Sequence, residues 1–166
     1  MKVVLGLGSN VGDRESYLDQ AKTMLEDGKV ITNIVLSSCY ETEALLLPNA
    51  PDEWNMPYLN RALSGATSYN PENLLIAIKH IEETLGRQDR GRWSPREIDI
   101  DILAYGNEVV TLRHLRIPHS MLLERAFALV PFAQIWPDWC YPVAGEHYGK
   151  TAAQLSAKFI LKTRDQ

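Results

Sequence analysis

Residues 70–86 leave little choice about their conformation. Asn70 can cap a helix, Pro71 fits the first helical position, and Glu72 puts an acid in the first turn. Leu74, Ile78, Ile81 and Leu85 then recur at helical spacing, and Gly86 supplies a stop. A stripe this regular has to be buried, so the helix must lie on another apolar layer. The same logic predicts a helix from Asp13 to Gly28, with Leu18, Ala21 and Leu25 on its stripe.

The segments flanking these helices read as strands. Residues 3–7 are a short apolar run ending in glycine-rich punctuation, residues 29–40 are rich in Val and Ile, and residues 58–69 resume extended. Residues 98–105 alternate up to Gly106-Asn107, a turn signal that predicts a short hairpin with Glu108-Val109-Val110. Further helices are expected over 120–130, ending at Pro131, and over 150–158. Residues 43–57, with Pro48, Pro51 and Pro57, and the polar residues 87–96 carry no periodicity. Loops of that length inside a compact domain are usually functional or disordered. The order strand, helix, strand, strand, helix, strand belongs to an α+β, ferredoxin-like sandwich. Helices pack on an antiparallel sheet, and a C-terminal helical extension follows. No repeat, linker or composition shift divides the chain, so residues 1–166 are expected to form one domain.

Composition narrows the function classes. The 166 residues are 45% apolar and 23% charged, a globular mix with a formal net charge of −4. No general positive field is present to attract nucleic acid or an anionic membrane, so an anionic ligand needs a local cationic patch. Cys39 and Cys140 are too few and too far apart for a disulfide framework, and read as reduced thiols. The N-terminal run reaches Ser9-Asn10 too soon for a signal peptide, and no apolar run nears the roughly 20 residues of a membrane span. A cytoplasmic location is expected.

The densest chemistry lies in Arg92-Trp93-Ser94-Pro95-Arg96-Glu97-Ile98-Asp99-Ile100-Asp101-Ile102-Leu103. In a strand, Ile98, Ile100 and Ile102 share the core face, while Asp99 and Asp101 share the other face about 6.6–6.8 Å apart. Paired carboxylates suit Mg²⁺ and can hold two ions together with phosphate oxygens. From the spacing alone, a solvated strand face is the commoner outcome. Arg87, Arg90, Arg92 and Arg96 crowd the approach to the pair, and guanidinium forks beside a metal clamp are the equipment of phosphoryl transfer.

This segment resembles the signature of the hydroxymethyldihydropterin pyrophosphokinases, in which Pro-Arg-x-x-Asp-x-Asp is the specific core. The similarity runs over residues 3–140. It takes in Gly8-Ser9-Asn10, Tyr58-Leu59-Asn60, Glu82-x-x-x-Gly86-Arg87, Ile117-Pro118-His119 and Arg125-Ala126-Phe127-x-Leu129-x-Pro131. The resemblance implies pyrophosphate transfer from ATP to 6-hydroxymethyl-7,8-dihydropterin, with AMP released. Asp99 and Asp101 would hold two Mg²⁺ ions, and Arg96 and Arg87 would serve the reacting phosphates. The nucleotide would be held by Glu82, Trp93, Arg96, Ile102, His119 and Arg125. The pterin would stack on Tyr58 and Phe127, with Thr42 and Asn60 at its polar edge. By pattern alone, Tyr58 and Phe127 are ordinary core aromatics, His119 is a turn residue, and Arg125 is a helix-surface charge. The two aperiodic loops would be lids. The resemblance leaves open an association with a downstream folate enzyme.

The chain departs from that pattern at Glu43, where a proline is usual, and at Asp89, His114 and Ser120. Other classes fit less well. Gly6-x-Gly8-x-x-x-Gly12 misses the dinucleotide fingerprint at Val11, and no GxxxxGK[ST] loop is present. A two-metal nuclease sits poorly with the acidic charge. A pterin- or nucleotide-binding relative without transfer remains the rival, and AMP release separates the two.

Overall fold

Caps and stripes place the two main helices where the sequence puts them. α1 (Arg14–Asp27) starts after Asp13, whose carboxylate accepts the Ser16 N–H, and α2 (Pro71–Thr84) starts after Asn70, which accepts the Asn73 N–H at 2.8 Å. The computed structural model from which these contacts are read describes residues 1–43, 46–87, 91 and 95–164. The two stop glycines behave differently. Gly86 takes a left-handed conformation (φ 91°), whereas Gly28 stays right-handed and Lys29 makes the turn at φ 55°.

The main sheet contains β1 (Lys2–Ser9), β2 (Thr32–Leu36), β3 (Tyr40–Thr42), β4 (Tyr58–Ala66) and β5 (Asp99–Tyr105). The long strands lie in the order β2-β4-β1-β5, and β3 also pairs with β4. Every pairing is antiparallel, which is the ferredoxin-like arrangement. Alternation along β1 decides what covers each face. Val3, Leu5 and Leu7 join the stripes of α1 and α2 in one core, together with Ile98, Ile100 and Ile102. Ile78, fully buried there, should cost about 2–5 kcal/mol when cut to alanine. Val4, Ala62 and Leu103 point the other way, against Leu129, Phe132 and Trp139. That second core is supplied by α3 (Ala126–Ile135) and α4 (Ala152–Ser156), so the C-terminal extension makes a third layer on the opposite face.

Four expectations need correction. The strand expected over 29–40 is two strands, because Ser37 interrupts the ladder. Its hydroxyl accepts the Ala62 N–H at 2.8 Å, and its carbonyl accepts two bonds from the Arg61 guanidinium. The strand expected over 58–69 ends at Ala66, where the Thr67 hydroxyl donates to the Val30 carbonyl. The turn at Gly106-Asn107 forms, but the next segment does not fold back on β5. Trp139 donates to the Gly106 carbonyl and Asn107 to the Cys140 carbonyl, so the turn is held by the C-terminal region. The hairpin lies further on, between β6 (Val110–Leu112) and β7 (Leu115–Ile117). Finally, the helix expected to end at Pro131 instead contains it. A single 3-10 turn (Leu122–Glu124) precedes α3, and Pro131 sits buried in its middle. The ring removes one backbone donor there, and the burial of Leu129 and Phe132 on either side offsets the loss.

Candidate active site

Side chains are missing from one stretch of the sheet, and a cavity opens there. Gly6 and Gly8 of β1 point to the same face as Val4, just beyond the area that α3 covers. In register, Gly6 lies between Ala62 and Asp101, and Gly8 lies between Asn60 and Asp99. A methyl group at Gly6 would meet Leu103 at 3.2 Å, and one at Gly8 would meet Asn60 Oδ1 at 3.0 Å. The two glycines therefore form the floor of a cavity of about 380 Å³. Walls come from Asp99 and Asp101 of β5, Tyr58 and Asn60 of β4, and Thr42 of β3. The roof is the segment His119-Ser120-Met121 together with Arg125 and Phe127 at the start of α3.

The cavity has two chemically distinct sides. On one, Tyr58 and Phe127 provide aromatic surface, and Asn60 Nδ2 donates to Thr42 Oγ1 at 2.7 Å, which fixes the amide. The Tyr58 hydroxyl is pushed up to about 12, by burial first and then by Asp99, so it stays a neutral donor. On the other side, Arg87 Nη1 lies 3.3 Å from Asp99 Oδ1, Arg96 Nη1 lies 4.0 Å from the same oxygen, and Arg125 joins the lining. Burial, followed by the negative charges of Asp99 and Glu82, raises the Asp101 carboxyl to about 8. Two adjacent acids that resist sharing full charge make a site that favours a cation.

His119 has its protonation set by its neighbours. Burial and the Arg125 charge hold its imidazole below the usual range, so it is neutral at pH 7. Its Nδ1 accepts the Met121 N–H at 3.1 Å, which leaves the proton on Nε2, 3.9 Å from Asp101 Oδ1. The Ile117-Pro118 peptide before it is cis.

Most residues singled out in the sequence meet here. Thr42, Tyr58, Asn60, Arg87, Arg96, Asp99, Asp101, His119, Arg125 and Phe127 all line the one cavity. Ile102 does not, because strand alternation carries it into the core between sheet and helices, where it is 5% exposed. Glu82 sits under the cavity wall, 2% exposed, and accepts the Ile100 N–H. Trp93, Arg90, Arg92 and Asp89 lie outside the described residues. Two departures, Glu43 and Ser120, are in the lining, whereas exposed His114 is in the β6–β7 turn. Sequence reading missed Lys79, which also lines the cavity and pairs with Glu82 at 3.3 Å. Its position one helical turn before Glu82 was the available signal. Among the described residues, no helix is long and apolar enough to cross a membrane, and no group of three or more His, Cys, Asp or Glu could hold a metal.

Known proteins place this cavity in context. A family model described as 7,8-dihydro-6-hydroxymethylpterin-pyrophosphokinase (HPPK) matches residues 4–137. The 2-amino-4-hydroxy-6-hydroxymethyldihydropteridine pyrophosphokinase of Aquifex aeolicus is 43% identical over 160 residues, 96% of this chain and 93% of that protein. The folate synthesis bifunctional protein of Chlamydia muridarum is 42% identical over 166 residues, which cover 98% of this chain but 37% of that protein. The chain thus spans 27–37% of the length of the bifunctional relatives it matches. A crystal structure of Plasmodium falciparum HPPK-DHPS superposes with a TM-score of 0.68 over 95% of this chain and 43% of that one. At 18% identity it supports the fold alone. The chain belongs to the 7,8-dihydro-6-hydroxymethylpterin-pyrophosphokinase family.

Proposed function

We propose that this chain transfers the terminal pyrophosphate of ATP to the hydroxymethyl group of 6-hydroxymethyl-7,8-dihydropterin, releasing AMP. The observation that carries the reading is the two-sided cavity, with aromatic surface and a fixed amide facing a carboxylate pair ringed by arginines. A flat heteroaromatic ring suits the first side, with Tyr58 and Phe127 against its faces and Thr42 and Asn60 at its edge. A polyphosphate suits the second.

The pyrophosphate-transfer step needs in-line placement and charge neutralisation more than covalent help. The pterin oxygen attacks the β-phosphorus, the bond from that phosphorus to the α-phosphate oxygen breaks, and the alcohol proton leaves to solvent. Arg87, Arg96 and Arg125 offer guanidinium donors to the phosphate oxygens, and the neutral His119 offers Nε2–H without adding charge. Asp99 and Asp101 fit magnesium as ligands, since their shared face and the raised Asp101 carboxyl favour a bound cation over two bare charges. When bound there, Mg²⁺ supplies charge neutralisation to the phosphates. Closure of the loops at 43–57 and 87–97 against water belongs to the same reading, and residues 44–45, 88–90 and 92–94 of them lie outside the described residues.

ATP as co-substrate agrees with a cytoplasmic location. The bifunctional relatives are named for folate synthesis, and we extend to this chain the delivery of its pyrophosphate ester to a downstream folate enzyme. The test is AMP formation from ATP with and without the reduced pterin alcohol. AMP that forms only when the pterin is present supports the reading. Tight binding of both ligands with no AMP would instead make the chain a binding protein.

A further inference from the structure

β3 is three residues long, yet it carries Thr42, whose hydroxyl fixes the Asn60 amide on the aromatic side of the cavity. It pairs with β4 from Tyr40 opposite Asn60 to Thr42 opposite Tyr58. So short a ladder holds weakly by itself, and its place depends on what else grips it. Side chains of two helices do so. The Tyr40 hydroxyl donates to Gln134 Oε1 of α3 at 3.0 Å, and Arg14 of α1 pairs with Glu41 at 3.1 Å. A main-chain tie comes from far along the sequence. Thr163 forms an antiparallel bridge with Tyr40, and the Arg164 N–H donates to the Cys39 carbonyl at 2.9 Å. Tyr40 thus has a backbone neighbour on each side, Asn60 and Thr163. The Arg164 guanidinium pairs in turn with Glu15 of α1.

We infer that residues 163 and 164 are a positioning clip for the pterin side of the cavity: paired with β3, they hold Thr42 where its hydroxyl fixes Asn60. The inference rests on the proposed reading that a pterin occupies that side. Linkage makes the effect reciprocal. If the docked clip tightens the pterin site, bound pterin must hold the clip more firmly by the same factor. ATP, whose phosphates belong with the arginines across the cavity, should leave the clip as it is.

Two substitutions at one position separate the backbone tie from the ion pair. Arg164→Pro removes the N–H that reaches Cys39, and it favours extended backbone at Thr163, as the bridge requires. Arg164→Ala keeps that N–H and loses the exposed pair with Glu15. With a non-hydrolysable ATP analogue present, Arg164→Pro should raise the calorimetric Kd for 6-hydroxymethyl-7,8-dihydropterin about fivefold, the scale of one neutral hydrogen bond. Its Kd for ATP should stay within about twofold of wild type, and Arg164→Ala should hold both values within about twofold. The Asn60 side-chain amide resonance of the ligand-free protein should shift in Arg164→Pro and not in Arg164→Ala. That readout needs no ligand, so failure of the functional reading and failure of this inference are separable. In a chain that bound no pterin, an unmoved Asn60 resonance would overturn the inference. Unchanged pterin affinity in Arg164→Pro overturns it whatever the melting temperature, and so do equal losses for both ligands. Should Arg164→Pro fail to fold, wild type decides through the reciprocal effect. Saturating pterin, added over the ATP analogue, should slow hydrogen exchange of the Arg164 amide about fivefold, and unchanged exchange on binding overturns the clip.

Discussion

Gly8 of β1 faces Asn60 of β4 across the antiparallel ladder, and a methyl group on Gly8 would stand 3.0 Å from the Asn60 carboxamide oxygen. Asn60 cannot easily withdraw, because its nitrogen is bonded to Thr42. Gly8→Ala should therefore displace Asn60, and Tyr58 at 3.4 Å with it. Pterin affinity should fall by about tenfold, the cost of one misplaced hydrogen bond, while ATP affinity holds. Calorimetry with each ligand separately checks this, and equal losses would mean that the floor serves both.

Asp99→Ala and Asp101→Ala should each reduce AMP release at least a hundredfold or so while leaving the fold intact. Both side chains lie on the cavity face, away from the isoleucine stripe that packs against the helices. Turnover and thermal unfolding without Mg²⁺ are the paired measurements. Near wild-type turnover in both variants would remove the carboxylate pair from the reaction.

The raised Asp101 carboxyl gives a signed pH dependence. Its ordinary value is 3.8 and its folded value is about 8. Between these, the folded chain holds a proton that the unfolded chain has released, so stability falls as pH rises through the window. Asp101 is 36% exposed, and water screens part of the effect, so the slope should be shallow. Urea unfolding of the metal-free protein at pH 5 and pH 8 should show the decline in wild type and a weaker one in Asp101→Asn. Identical pH profiles for the two would count against the raised carboxyl.

Phe127→Ala should weaken the pterin more than ATP. The ring lies at the cavity roof, with the Arg125 guanidinium 5.6 Å from its centre. Loss of an aromatic stack costs about 0.5–1.5 kcal/mol beyond the buried area. Titration in the presence of a non-hydrolysable ATP analogue separates the ligands, and a matched loss for both would mark the ring as roof packing.

The loop after β3 should gain protection only when both ligands bind. It is tied near its far end, where Asn10 donates to the Met56 carbonyl and Arg14 to the Pro57 carbonyl. Holding residues 46–55 in one closed position costs roughly 1–2 kcal/mol per residue fixed, so the contacts of both ligands are needed to offset it. Hydrogen exchange over residues 43–55 in the free, singly bound and doubly bound states is the measurement. Equal protection throughout would make it a fixed wall.

What the sequence disclosed follows from how local each signal was. The α1 and α2 stripes, their caps and the β5 alternation involve neighbours a few residues apart, and they placed the order of elements along the chain and the shared face of the carboxylate pair. The errors came from distant partners. Trp139 and Asn107 decided the fate of the turn after β5, and Ser37 with Arg61 split the expected strand. The same limit hid the cavity floor. Gly6 and Gly8 read as a failed nucleotide motif, because only pairing with both β4 and β5 reveals what their missing side chains leave open.

β1 is paired along both edges, so the surface under the bound ligands belongs to a strand that its neighbours hold in place. Any adjustment to an unusual substrate has to come from the opposite side, through the 119–121 segment, the first turn of α3 or the loops. Tolerance should then be directional. An analogue whose extra group projects toward Phe127 can be met by a shift of that lighter structure. The same group turned toward Gly8 meets backbone that cannot retreat, and would be refused at the size of a single methyl.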